Sequence, residues 1–335
     1  MLGSGMEKAG KVLVAGGGGF IGGHLVADLL QTGHAEIRVV DCKPLSQWYQ
    51  IFPQVENICA DLRQVSACRA AAHDVRYVFN LAADMGGIGF IETHKAECML
   101  SVLISTQLLM AAHEASVERF FYSSSACVYA AEKQTSADVV PLRESDAYPA
   151  MPEDGYGWEK LFSERMCRHF HEDYGLQTRV ARYHNVYGPY GTFDGQREKA
   201  PAAICRKVIA AKLSGSGEIE IWGDGNQSRS FMYIEDCITG TRIIFDSDEA
   251  QPLNLGSDRL ITINQLVDIV ETIGGVKLKR VYDLAAPKGV RGRNSDNMLI
   301  AERLGWAPRI PLEVGLEQTY RWIYDQMTGG VKTAA

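Results

Sequence analysis

The chain has 335 residues, of which 46% are hydrophobic and 22% are charged, and its formal net charge at pH 7 is −7. This composition is typical of a globular protein of about two domains. The negative charge argues against nucleic acid or a membrane surface as a partner, and the absence of a long unbroken apolar run predicts no transmembrane helix.

The N-terminus predicts a nucleotide-binding turn. The first ten residues have no apolar core and predict a flexible leader, not a signal peptide. A buried strand over Lys11–Ala15 is followed by a glycine-rich turn and a helix over His24–Gln31. The turn spells G-x-x-G-x-x-G at Gly16, Gly19 and Gly22. Glycines at this spacing permit a tight turn and a close approach of the backbone to a pyrophosphate at a helix N-terminus.

An acidic residue follows the second strand. The strand Glu36–Val40 ends at Asp41, nineteen residues after Gly22. A carboxylate at this position binds the ribose hydroxyls of adenosine and repels a 2′-phosphate. The pattern therefore predicts NAD as the cofactor and disfavours NADP.

Strands and helices then alternate. We predict strands over 75–81, 117–125 and 177–183, a helix over 93–116 capped by Thr93, and a helix over 155–174 ended by Gly175. This alternation indicates an α/β fold with a Rossmann-type doubly wound parallel sheet. Ligands of such sheets bind beyond the carboxyl ends of the strands, where Asp41, Ala82 and Ser125 are predicted to lie.

Four residues near these strand ends can transfer protons. Tyr156 and Lys160 are four residues apart, so a helix places them on one face, where the lysine is expected to favour the phenolate. Ser125 can hold a substrate hydroxyl against that phenol. Cys127 is a further proton-transfer group and suggests chemistry beyond simple oxidation.

The second half predicts a smaller α/β substrate-binding domain. We expect a helix starting near Pro201, a loop-rich stretch over 214–230, a helix over 234–246, and a short strand over 252–255 that returns to the sheet. The predicted domains are 11–187 plus 231–261, which binds NAD, and 188–230 plus 262–330, which binds the substrate.

Cations are concentrated in the segments expected to cover the crevice. They are Arg197, Lys199, Arg206, Lys207, Arg229, Lys288, Arg291 and Arg293. Arginines bind phosphates bidentately, so the pair Arg291 and Arg293 predicts a diphosphate-bearing substrate. Lys199 precedes a helix whose positive dipole end disfavours the ammonium and makes it a better proton donor.

These residues resemble the extended short-chain dehydrogenase/reductase family and, within it, the GDP-mannose 3,5-epimerases. The stretches that carry the resemblance are Asn80–Phe90, Ser124–Cys127, Arg197–Ala203, Trp222–Gly225 and Gly289–Asn297. It implies NAD-dependent conversion of GDP-D-mannose to GDP-L-galactose, with GDP-L-gulose as the product inverted at C5 alone. The chain ends without the C-terminal tail of the plant enzymes, and we expect this to affect substrate affinity.

The resemblance also implies roles for individual residues. Tyr156, supported by Ser125 and Lys160, would be the redox base at C4, and Cys127 and Lys199 would be the acid/base pair that inverts C5 and C3. The implied cofactor-binding residues are Gly16, Gly19, Phe20, Ile21, Gly22, Asp41, Asp61, Leu62, Leu81, Ala82, Ala83, Tyr156 and Lys160. The implied substrate-binding residues are Met85, Gly86, Gly87, Ser125, Ala126, Cys127, Tyr156, Asn185, Glu198, Lys199, Ala200, Lys207, Gln227, Ser228, Arg229, Arg291 and Arg293.

The sequence leaves rival functions open. One is a GDP-4-keto-6-deoxymannose epimerase/reductase, which uses NADPH and a histidine acid; another is a different NAD-dependent nucleotide-sugar epimerase. A non-catalytic NAD sensor on the same fold is disfavoured, because Ser125, Tyr156 and Lys160 are all present.

Cysteine spacing and helix composition give three further expectations. Eight cysteines without C-x-x-C pairs suit reduced thiols in a cytoplasmic protein. The histidine spacing predicts no metal site. Surplus apolar residues predict a homodimer through the helices 94–115 and 155–174.

Overall fold

The structure, a computed structural model, describes residues 10–329. Residues 1–9 of the expected leader, and residue 330 at the predicted end of the second domain, lie outside the described residues. The strands are β1 (Val12–Ala15), β2 (Ile37–Asp41), β3 (Glu56–Cys59), β4 (Tyr77–Asn80), β5 (Arg119–Ser125), β6 (Gln177–Tyr183), β7 (Val186–Tyr187), β8 (Glu218–Trp222), β9 (Ser228–Ser230), β10 (Met232–Tyr233), β11 (Leu253–Leu255), β12 (Leu260–Thr262), β13 (Lys279–Asp283) and β14 (Gly292–Arg293). The α-helices are α1 (Phe20–Gln31), α2 (Val65–Ala72), α3 (Ile88–Thr93), α4 (Lys95–Glu114), α5 (Asp154–Tyr174), α6 (Ala200–Ser214), α7 (Ile234–Asp246), α8 (Ile263–Gly274), α9 (Met298–Leu304) and α10 (Leu312–Thr328).

A seven-stranded sheet forms the centre of the molecule. Its order is β11-β6-β5-β4-β1-β2-β3, and every neighbouring pair is parallel. The expected Rossmann-type doubly wound sheet is therefore confirmed. The predicted strand over 252–255 does return to this sheet, because Leu253–Leu255 pairs with Ala181–Tyr183 of β6.

Helices cover both faces of the sheet, which explains why its central strands are almost continuously apolar. Val12 and Val14 of β1 belong to the core on one face, with apolar side chains of α1 and α7. Leu13 and Ala15 belong to the core on the other face, with side chains of α2, α4 and α5. This packing fixes the sheet, so that the carboxyl ends of its strands form one edge.

Smaller sheets and helices follow the main sheet in sequence. One three-stranded sheet has the order β12-β9-β14, and β8 pairs with β13. Helices α6, α8 and α10 pack against one another. The boundaries of the two predicted domains stay a prediction.

Two local expectations were wrong. The expectation of a loop-rich stretch over 214–230 missed the strands β8 and β9. The long helix begins at Lys95 and not at Thr93, because the backbone of His94, at φ −125° and ψ 45°, separates it from α3. Thr93 instead ends α3, where its hydroxyl donates to the carbonyl of Gly89 at 2.7 Å.

Helix α4 is long and apolar enough to cross a membrane, judged by length and composition alone. One of its faces, which includes Leu108 and Leu109, is buried in the core with residues of α2 and α5. The opposite face exposes Met99, Leu103 and Met110 to between 40% and 48%. One face of this helix therefore presents apolar side chains that the single chain does not cover.

Candidate active site

A cavity of about 610 Å³ opens beside the carboxyl ends of β5 and β6. Fifteen of the seventeen predicted substrate-binding residues line it, namely Met85, Gly86, Gly87, Ser125, Ala126, Cys127, Tyr156, Asn185, Glu198, Lys199, Ala200, Lys207, Gln227, Arg229 and Arg293. Ser228 and Arg291 do not line it. The hydroxyl of Ser228 donates to the carbonyl of Ala137, and Arg291 Nη1 donates to Asp224 Oδ1 at 2.8 Å.

The turn that carries Cys127 is held from two sides. A 3-10 turn over Ala126–Val128 follows β5, and Ser125 Oγ accepts a hydrogen bond from Cys127 N at 3.2 Å. The carbonyl of Cys127 accepts from Glu153 N at 2.9 Å. Gly157 permits this close approach, because a Cβ there would lie 2.2 Å from the same carbonyl oxygen. The start of α5 is thus docked on the turn, and Tyr156 and Cys127 share one cavity.

The phenol of Tyr156 is buried, and Lys160 does not favour its phenolate form as the sequence predicted. Burial raises the pKa of Tyr156 well above its usual value, the charges of Cys127 and Glu159 raise it further, and a hydrogen bond with Ser125 opposes them. Lys160 Nζ donates to the carbonyl of Ser123 at 3.1 Å and lies 3.6 Å from Glu159 Oε2. The ammonium is directed at these groups and lies 5.5 Å from the centroid of the tyrosine ring.

Arg293 contacts the thiol of Cys127. Its Nη1 donates to Cys127 Sγ at 3.4 Å, and its Nε donates to Gln134 Oε1 at 2.7 Å. Its guanidinium also forms an ion pair with Glu153, whose Oε1 accepts from Gln134 Nε2 at 2.9 Å. A cation that donates to a sulfur stabilises the thiolate, which is the form of cysteine that accepts a proton.

Lys199 reaches the same cavity from the start of α6. It is the N-cap of this helix, and burial lowers the pKa of its ammonium, while the charges of Cys127 and Cys237 oppose that effect. The segment is fixed against the turn before α3, where Gly87 N donates to the carbonyl of Arg197 at 2.9 Å. A Cβ at Gly87 would lie 2.2 Å from the carbonyl oxygen of Glu198, so glycine is required there.

The cavity is positive although the chain is acidic. Its cationic side chains are Lys199, Arg206, Lys207, Arg229, Lys288 and Arg293, and its carboxylates are Glu153, Asp194, Glu198 and Glu220. Arg229 donates to the carbonyls of Ser228 and Val290, at 2.7 and 2.6 Å, and forms no ion pair with a carboxylate of residues 10–329. Burial lowers the pKa of this guanidinium to about 10. A half-buried cation without a carboxylate partner suits an anionic ligand.

The glycine-rich turn has the shape that a dinucleotide needs. Gly16 has φ +82°, and a Cβ there would lie 2.8 Å from the backbone nitrogen of Ala82. A Cβ on Gly22 would lie 2.3 Å from the carbonyl oxygen of Gly16. Asp41 ends β2 with a buried carboxylate that accepts from Lys43 N at 3.0 Å. These residues fit a dinucleotide whose ribose meets a carboxylate.

The other predicted cofactor-binding residues differ in their burial. Leu62 is buried, whereas the carboxylate of Asp61 is partly exposed and forms an ion pair with Arg63 at 2.8 Å. Phe20 and Ile21 begin α1 directly after the glycine turn, and Leu81, Ala82 and Ala83 follow the end of β4.

Several lining residues are not among the site residues predicted from the sequence. They are Ile88, Gly89, Ile91, Glu153, Tyr183, Val186, Asp194, Gly195, Gln196, Pro201, Ala203, Ile204, Glu220, Ile221, Trp222, Phe231, Ile263, Pro287, Gly289 and Val290. The alternation Glu-Ile-Glu-Ile-Trp over 218–222 is a signal for a strand with one buried face, and it could have identified Glu220 and Trp222.

Comparison with known proteins agrees with the fold and identifies the family. Residues 12–256 match the model of the NAD dependent epimerase/dehydratase family. The chain is 42% identical over 324 residues to the GDP-mannose 3,5-epimerase of Arabidopsis thaliana, covering 95% of this chain and 83% of that protein. It is 28% identical to the probable GDP-L-fucose synthase 1 of Oryza sativa subsp. japonica, over 97% of this chain and 95% of that protein. The UDP-glucose 4-epimerase of Thermotoga maritima, solved with UDP-glucose, superposes with a TM-score of 0.84 at 26% identity, covering 95% of this chain and 99% of that chain.

Proposed function

This chain belongs to the NAD dependent epimerase/dehydratase family, and we propose that it is a GDP-mannose 3,5-epimerase, which inverts C3 and C5 of GDP-D-mannose. The observation that carries the proposal is that Cys127 and Lys199 line one cavity with Ser125 and Tyr156. A 4-epimerase needs the serine and the tyrosine, but it has no use for a thiol and an ammonium in the same cavity.

The glycine turn and Asp41 would hold NAD, which would supply an acceptor for the C4 hydride and a source of it for the reduction that ends the turnover. Tyr156 is placed to take the proton of the C4 hydroxyl, and Ser125 holds that hydroxyl against the phenol. The raised pKa of Tyr156 keeps the phenol protonated in the free protein. Deprotonation therefore belongs to the ligand-bound state.

Cys127 and Lys199 account for inversion. Once C4 is a ketone, the C–H bonds at C3 and C5 are acidic, so that a thiolate can remove a proton and an ammonium can deliver one. Arg293 holds the sulfur in place through its hydrogen bond to Sγ. Burial of Lys199 weakens its hold on its proton, which suits a general acid.

Arg229 is the residue best placed to bind the diphosphate. It lines the cavity without a carboxylate partner among the described residues, whereas Arg291 pairs with Asp224 outside the cavity. The predicted diphosphate contact of Arg293 stays a prediction, since its guanidinium is engaged by Cys127, Gln134 and Glu153.

The epimerase/reductase alternative is less well supported. Asp41 disfavours the 2′-phosphate of NADPH, and the acid proposed here is Lys199, whereas that enzyme class uses a histidine. The identity of 42% to a GDP-mannose 3,5-epimerase, against 28% to a GDP-L-fucose synthase, points the same way.

The oligomeric state and the location are further parts of the proposal. We place a homodimer interface on α4 and α5, where Leu103 and Phe162 are 40% and 48% exposed. Leu108, Leu161 and Phe170 belong to the core of the single chain, so the interface uses fewer residues than the sequence pattern indicates. Eight free thiols suit the reducing cytoplasm.

The experiment that tests the function is incubation of the purified protein with GDP-mannose, without added cofactor, followed by NMR of the sugar products. GDP-L-galactose and GDP-L-gulose are expected. A 4-deoxy, 6-deoxy or 4-epimeric product, or unchanged GDP-mannose, would refute the proposal.

A further inference from the structure

One face of helix α6 lines the cavity, starting from the end at which Lys199 lies. Lys199 precedes the helix, and Ala200, Ala203, Ile204 and Lys207 all line the cavity, as expected for one helical face. Lys207 lies eight residues beyond Lys199, which corresponds to about 12 Å along the helix axis. This distance is comparable to the length of a diphosphate and a ribose. A nucleotide sugar with its hexose at Lys199 therefore brings its base to Lys207.

The carboxylate of Glu220 lies beside Lys207, and one of its two oxygens is free to accept hydrogen bonds from a ligand. Glu220 Oε1 accepts from Lys207 Nζ and from Trp222 Nε1, each at 3.1 Å, and Lys207 Nζ also donates to the carbonyl of Glu220 at 3.0 Å. These bonds fix the orientation of the carboxylate. Glu220 Oε2 has no hydrogen-bond partner among residues 10–329, and the side chain is 55% exposed at the cavity wall.

The other carboxylates of the cavity stand at different places. Glu153 pairs with Arg293 beside Cys127. Glu198, next to Lys199, accepts from Arg206 through Oε1, and its buried Oε2 has no hydrogen-bond partner within residues 10–329. Asp194 lies on the exposed loop before α6. Glu220 is thus the oriented carboxylate at the end of the cavity away from the chemistry.

Lys207 and Glu220 match the hydrogen-bonding edge of guanine. Guanine presents in a row the acceptor O6 and the donors N1–H and N2–H₂. The ammonium can donate to O6, while the carboxylate accepts from the two donors. Uracil would place its O2 against the carboxylate, and adenine offers no donor at N1, so both are mismatched. The indole of Trp222 supplies an aromatic surface for the base.

We infer that Glu220, oriented by Lys207 and Trp222, selects guanine as the base of the substrate. This inference rests on the proposed function, since it places the hexose at Cys127 and Lys199.

The test compares GDP with IDP, whose base lacks only the N2 amino group, by calorimetric titration of the NAD-loaded protein. The wild type is expected to bind GDP about tenfold more tightly than IDP, because one hydrogen bond to a carboxylate is lost with IDP. Glu220→Gln presents an NH₂ group in place of Oε2, so it should weaken GDP binding and bring the ratio close to one.

Glu218→Gln is the matched control. Glu218 lies on the same strand and the same face as Glu220, but it pairs with Lys279 at 2.8 Å and does not line the cavity. This variant should keep the wild-type ratio, and thermal melting checks that both variants fold. Equal binding of GDP and IDP by the wild type, or an unchanged ratio in Glu220→Gln, would overturn the inference. Because the titration needs no turnover, a failure to epimerise GDP-mannose would count against the function separately.

Discussion

The guanidinium of Arg293 donates a hydrogen bond to the sulfur of Cys127 at 3.4 Å. The sequence pattern pairs this arginine with Arg291 as a phosphate ligand, but the structure separates the two. Arg291 pairs with Asp224 outside the cavity, and Arg293 is buried against the thiol. The contact links a residue near the end of the chain to the base proposed for inversion.

Substitutions of Arg293 and Arg229 should therefore affect different kinetic constants. Arg293→Gln removes a charged partner of the thiolate and should lower kcat about 10- to 100-fold with little change in KM. Arg229→Gln removes a cation proposed to bind the diphosphate in ground and transition states alike, and should mainly raise KM. Arg291→Gln, outside the cavity, is the control for both. A normal kcat with a raised KM in Arg293→Gln would return that arginine to the diphosphate.

The pH dependence of inversion should report on Lys199. Burial lowers the pKa of this ammonium below its usual 10.5, so the proton needed for delivery is lost as pH rises through that lowered value. Activity should decline on the alkaline side with a midpoint below 10.5. Lys199→Arg should be slower, but its alkaline decline should move to higher pH, because the guanidinium keeps its proton. The same midpoint in this variant would assign the decline to another group.

The cofactor should co-purify with the protein, because the hydride is returned in each turnover. Asp41→Ala should weaken retention of NAD and relax the exclusion of NADP, since the carboxylate that repels the 2′-phosphate is gone. Chromatography of the nucleotides released on denaturation measures both effects. Asp28→Ala, which removes the partner of Arg242 at 2.7 Å, is a control on the same domain. A wild-type protein that carries NADP would contradict this account of Asp41.

The uncovered apolar face of α4 and α5 should form a dimer. Light scattering at micromolar concentration is expected to give twice the mass of the chain. Leu103→Lys combined with Phe162→Lys should give monomers, because both side chains are exposed on that face. Val140→Lys, at a position 78% exposed and outside both helices, should leave the dimer intact. A monomeric wild type would refute the interface.

Local sequence patterns were enough to predict much of the fold. The glycine spacing, Asp41 and the alternation of strands and helices predicted the doubly wound sheet, and even the return of Leu253–Leu255 to it. The α5 end at Gly175 followed from chemistry, as its φ of +75° favours glycine. These features depend on residues close in sequence, or on rules that hold for every parallel sheet.

Contacts between distant residues could not be predicted in the same way. Nothing within the sequence near Arg293 indicates Cys127 as its partner, since 166 residues separate them. The i, i+4 spacing predicted that Lys160 lies near Tyr156, but it could not predict that the ammonium donates its hydrogen bond to the carbonyl of Ser123. Strand β8 was missed for another reason: its Glu-Ile alternation was outweighed by the flanking glycines at 215, 217, 223 and 225.

The central claim is that Cys127 and Lys199 exchange protons with the carbons on either side of C4. Incubation of the wild type with GDP-mannose in deuterated water, followed by NMR, measures this exchange directly. Deuterium is expected at C3 and C5 and not at C4, where the original hydride returns. Cys127→Ser should lose about 10²- to 10⁴-fold in rate while still binding GDP, whereas Cys98→Ser, in the same buried cluster but outside the cavity, should exchange normally. Absence of deuterium at both carbons in the wild type, or an undiminished rate in Cys127→Ser, would contradict the account.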